Sequence, residues 1–116
     1  MIEMMLEAER AMAVGLLDKA ERLYAQVAAA DPRNSIAVMG LARIALERDN
    51  QRGAYLLARR ALVLDPDNPM ASHMARRMAE IMAGRGEVPP DEPAEPLAIE
   101  PEPARPGFID RIRGRR

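Results

Sequence analysis

Apolar side chains return at intervals of three and four residues through five successive blocks of the chain, the spacing of one face of a helix. The first block, over 2–14, sets Ile2, Met5, Leu6, Met12 and Ala13 in step and ends at Gly15, a residue suited to close a helix. The second runs through Leu23, Tyr24 and Val27 to Ala30, with Asp18 as its expected cap. It stops at Asp31-Pro32, because proline disfavours helical geometry in the residue before it. A third helix is predicted over about 36–48, capped by Ser35, with Val38, Leu41, Ala42 and Ala45 inward. Asp49-Asn50 turns the chain into a fourth, over about 52–64, which carries Ala54, Leu57, Ala58, Ala61, Leu62 and Leu64 and ends at Asp65-Pro66. Asn68 caps a fifth, with Pro69 at its first position, where a missing N–H is harmless. That helix is expected to reach about Ala83, before Gly84 and Gly86.

The blocks share a rhythm. Asp31-Pro32-Arg33-Asn34 returns 34 residues on as Asp65-Pro66-Asp67-Asn68, Ala20 as Ala54, and the apolar site of Val27 as Ala61. A fixed period of this length marks stacked units, each burying its apolar face on a neighbour. Composition agrees with helix: the apolar residues are mostly Ala, Leu and Met, good helix formers, and threonine is absent. The expected class is all-α, within one small domain. A plain five-helix bundle would satisfy the apolar pattern as well, but would not need the shared period.

The spacing and the residues that keep it resemble the tetratricopeptide repeat family. Gly15, Leu17, Ala20, Tyr24, Val27 and Pro32 match the later half of one unit. Leu41, Ala42, Ala45, Ala54, Ala58, Ala61, Leu62 and Pro66 match a second. Glu7 departs from the usual Leu and Ala11 from the usual tyrosine. The resemblance implies an antiparallel helix-pair solenoid over 1–84, with repeats at about 1–34 and 35–68 and a capping helix at 69–83. Ala75 and Ala79 keep the inward sites of that last helix. Arg76 stands where a small residue would admit a second helix, as a solubilising end helix requires.

Family members bind other polypeptides along their first helices. Carried over, the groove would be Ile2, Met5, Leu6, Glu9 and Met12; Ile36, Met39, Gly40, Arg43 and Leu46; and Met70, His73, Met74 and Arg77. Chaperone-binding members hold a terminal carboxylate with Lys, Asn and Arg. Met5, Glu9, Gly40, Met70 and Met74 occupy those places here, which argues against binding of that kind. The trough left is rich in methionine, a side chain that adapts to varied apolar partners. Met70, Met74, Met78 and Met82 also form a stripe at four-residue spacing. It has two readings: a binding surface, or core packed on the fourth helix or in a homodimer seam. The leading expectation is a protein-interaction adaptor, and the alternative a self-associating structural protein.

Catalysis has few candidates. There is one histidine, no cysteine and two serines, and Ser72 and His73 are neighbours that point apart on a helix. No enzyme activity, cofactor or metal site is expected. The start of the chain lacks the features of a secretory signal, and no apolar run approaches the roughly 20 residues of a membrane span, so the expected location is the cytoplasm.

Charge then separates the remainder from the helical part. Residues 1–83 balance acids and bases, 84–104 hold six acids against Arg85, and 105–116 hold five arginines against Asp110. Seven of the ten prolines lie between Pro89 and Pro106, so 85–107 is expected to be a disordered acidic linker. The tip, 108–116, has three readings: a linear motif anchored by Phe108, Ile109 and Ile112; a contact of its arginines with an anionic membrane or nucleic acid; or an inert tail. A neutral body without aromatic platforms makes nucleic acid the weakest of the functional options. The acids and apolar residues Glu95, Leu97, Ile99 and Glu100 complement a trough holding Arg43 and Arg77, so the tail is also a candidate occupant of its own groove.

Overall fold

Each of the five apolar blocks becomes a helix. The computed structural model describes residues 2–89. In order they form α1 (Ile2–Ala13), α2 (Leu17–Ala30), α3 (Ser35–Glu47), α4 (Gln51–Leu64) and α5 (Pro69–Gly84), with no strand among the described residues. The disorder expected of the linker from residue 90 onward, and the basic tip at 108–116, lie outside the described residues.

Backbone geometry repeats with the sequence. At the end of α1, Gly15 adopts φ +83°, its N–H bonds the Met12 carbonyl, and the Leu16 N–H reaches back to Ala11. At the end of α3, one period later, Asp49 takes φ +61°, its N–H bonds Leu46, and the Asn50 N–H reaches Ala45. Both are the six-to-one and five-to-two closures of a Schellman motif, and they satisfy carbonyls that the last helical turn leaves open. Helices α2 and α4 end differently and alike: the backbone N–H groups of Asp31 and Asp65 donate to the Val27 and Ala61 carbonyls, and the following proline prevents another turn.

Starts are set by asparagine. The Asn34 side chain accepts from the Ala37 N–H at 3.1 Å, Asn50 from Gly53 at 2.9 Å, and Asn68 from Met70 and Ala71 at 3.0 and 3.1 Å. Two expected caps are therefore corrected. Ser35 is the first helical residue, because Asn34 before it already accepts the N–H in need of a partner. Asp18 lies inside the first turn of α2, which has no side-chain cap at Leu16, and its carboxylate instead pairs with Arg48.

Short connections fold each helix back on its predecessor, and each helix packs on the next in chain order. Two apolar clusters result. Ala8, Ala11, Ala20, Tyr24, Val27, Ala37, Leu41 and Ile44 join α1, α2 and α3. Val38, Met39, Ala42, Ala54, Ala58, Ala61, Met74 and Met78 join α3, α4 and α5. Helix α3 is thus buried on two sides, which is why seven of its thirteen residues lie in the core. Ala8, Ala20, Ala42 and Ala54 are fully buried, so helix axes approach over methyl groups rather than long side chains.

Candidate functional site

The residues assigned to a groove lie on α1, α3 and α5, and the structure divides them into three kinds. Met39 and Met74 are buried members of the α3–α5 cluster. Met5 and Met12 are half-buried against the α1–α3 cluster. Ile2, Leu6, Ile36, Leu46 and Met70 remain exposed. Of these, Ile2, Ile36 and Met70 occupy one position repeated at the 34-residue period, at 72, 61 and 53% exposure. Helices α1, α3 and α5 thus each offer solvent a large apolar side chain near the N-terminus.

Below this row on α1 and α3 lies a polar bridge. Glu9 is one helical face further along from Ile2 and Leu6, and Arg43 stands at the same place in the next unit, 34 residues on. Arg43 Nη1 approaches Glu9 Oε2 at 3.4 Å, and the Tyr24 hydroxyl on α2 donates to the same oxygen. Two residues assigned from the sequence to the groove are bonded to each other, and they tie α1 to α3. The Tyr24 ring reaches this position because Gly40 lacks a side chain: a Cβ there would lie 2.5 Å from ring carbons. Burial, followed by the hydrogen bond and charge of Glu9, pushes the Tyr24 phenol up to about 12, against the opposing pull of Arg43.

On α5 the third member of the series, Arg77, is exposed and has no ion pair among the described residues. His73 lies one turn before it, also exposed. The methionine stripe resolves largely into core. Met74, Met78 and Met82 are buried against α4, and Met70 alone stays outside. Tyr24 was not legible as part of this face, although a glycine inside a predicted helix, Gly40, was a signal for close approach by a neighbouring element.

Elsewhere, Arg48 reaches from the end of α3 to Asp18 and to Glu21, 2.8 Å away. It borders an open depression of about 500 Å³ that also touches Gly15, Leu17, Lys19 and Arg22. Among the described residues no three His, Cys, Asp or Glu side chains group as metal ligands, and no helix is long and apolar enough to cross a membrane. The tail anchors Phe108, Ile109 and Ile112 lie outside the described residues. Comparison with protein-family models, with curated proteins and with solved structures finds no match to this chain.

Proposed function

We propose that residues 2–84 are a tetratricopeptide-type stack, two helix pairs closed by α5, that holds a peptide or helix of another protein against its first helices. The chain would act as a non-catalytic interaction adaptor. The observation that carries this reading is the row Ile2, Ile36 and Met70, exposed once per period and bordered by Leu6 and Leu46. Large apolar side chains held in register by a rigid scaffold are what an apolar partner needs, and burying them contributes about 1.5–3 kcal/mol each. Methionine burial narrows the alternative of a self-associating protein, since Met74, Met78 and Met82 are already covered within one chain.

The test is selection of short random peptides on the full chain, followed by binding to two charge variants. Ile36→Glu is expected to weaken selected peptides at least about tenfold, the loss of one central anchor. Val63→Glu, at an exposed apolar site on α4, should leave them unchanged. Peptides that bind both variants equally would show that the row is not the binding face.

A further inference from the structure

We propose that residues 95–100 of the same chain, Glu95-Pro96-Leu97-Ala98-Ile99-Glu100, occupy this row, with Leu97 and Ile99 against Ile36 and Met70 and a flanking carboxylate on Arg77. The inference rests on the reading of the row as a binding face and names its resident occupant.

Charge is the first argument. Of the two arginines assigned to the groove, Arg43 is engaged by Glu9, and Arg77 is exposed with no ion pair among the described residues. Residues 90–102 hold Asp91, Glu92, Glu95, Glu100 and Glu102 and no basic residue. An acid brought to Arg77 restores on α5 the pairing that Glu9 and Arg43 make between α1 and α3.

Side-chain type is the second. Between Val88 and Phe108, Leu97 and Ile99 are the only large apolar residues. They stand two apart, so an extended strand would place both on one side. Acids flank them as a cation flanks the row. Pro96 and Pro101 bracket Leu97-Ala98-Ile99-Glu100, and a chain already restricted at φ loses less freedom on docking.

Reach is the third. Helix α5 ends at Gly84 and the described chain at Pro89. Eight residue steps from Pro89 to Leu97 span up to about 28 Å. Along α5, Arg77 lies about 10 Å and Met70 about 21 Å before its end, at 1.5 Å per residue. A short peptide tether presents its segment at an effective concentration on the order of millimolar, enough to favour even a weak contact.

The chain has no cysteine, so one introduced by Ala98→Cys in the full-length protein accepts a nitroxide label at a single site. Paramagnetic broadening is then read at the methyl groups of Ile36, Met70 and Val63. The expected result is loss of the Ile36 and Met70 signals with Val63 retained, and recovery of both when Arg77→Glu is added. Equal broadening at all three methyls would overturn the proposal. So would loss that persists with Arg77→Glu, or loss seen only between a spin-labelled chain and a separate isotope-labelled one, which would make the occupant a second copy. If peptides selected on the row bind while this pattern is missing, the occupant is wrong and the face stands. If selected peptides ignore the row, the face itself is wrong.

Discussion

Gly40 and Tyr24 exchange volume with Met74 and Ala58. The two pairs stand one period apart: in the first interface a ring on α2 fills the space over a glycine on α3, and in the second an alanine on α4 and a methionine on α5 join the same cluster. Close-packed interiors tolerate swaps that conserve volume and resist additions. Gly40→Ala therefore sets a small gain in helix propensity against a Cβ 2.5 Å from ring atoms. The clash wins, with an expected loss of about 1–3 kcal/mol. Gly84→Ala, where a Cβ meets nothing within 4 Å, is expected to be neutral or to add up to about 1 kcal/mol. Urea denaturation of both variants checks the opposite signs. The Tyr24 phenol makes a second prediction. Its ordinary value of 10.0 rises to about 12 in the fold, so the unfolded chain loses this proton first as pH climbs. The contribution is complete below pH 10 and disappears as pH rises through about 12. Urea midpoints across that window should fall more steeply for the parent chain than for Tyr24→Phe, which has no proton to lose; parallel curves would show that Tyr24 is not the group responsible.

Helix boundaries were legible because stop signals act locally. Proline after Asp31 and Asp65, and glycine at 15, dictate backbone geometry whatever packs around them. Caps were less so. Asn34 and Ser35 both qualify as N-caps, and only the position of the first helical N–H decides between them. Hence Asn34→Ala, Asn50→Ala and Asn68→Ala should each cost about 1 kcal/mol, while Ser35→Ala loses no cap. Thermal melts of the four variants test this ranking. Asp18→Ala belongs with the mild ones, since its exposed pair with Arg48 is worth under about 1 kcal/mol. The candidate face was harder to read than the helices. Met39 and Met70 have the same chemistry, yet one is core and the other exposed. Which methionine is covered depends on the neighbouring helix, and periodicity along one element carries no record of that. Glu9 and Arg43 show the same limit: opposite charges one period apart signalled a contact between units only once stacking brought α1 beside α3.

At the scale of the molecule, the two outer faces decide where apolar burial stops. The α3 residues that meet the α1–α3 cluster include Ala37, Leu41 and Ile44, and their counterparts on α5 are Ala71, Ala75 and Met78, all buried. One period earlier, α1 carries Glu3, Glu7 and Arg10 at those positions, all exposed. Glu7 suits this position physically: the face of α1 meets solvent, and its carboxylate pairs with Lys19 of α2 at 3.2 Å. At the opposite end, the site of fully buried Ala8 and Ala42 is taken by exposed Arg76. Charged side chains thus end apolar burial on both outer faces of the five helices among the described residues, and Ile2, Ile36 and Met70 stay exposed at one position of the 34-residue period. Glu3→Ala, Glu7→Leu and Arg10→Ile together would restore on α1 the side chains that α3 buries. Helix α1 keeps about its propensity, because Glu→Ala gains what the β-branched Arg→Ile loses, Glu→Leu is near neutral and none of the three is a breaker. The new patch has no helix to cover it, so the variant is expected to self-associate at micromolar concentration, seen as a larger sedimentation coefficient than that of the parent chain. An unchanged coefficient would mean that the acids and arginine on α1 are not what keeps this face in water.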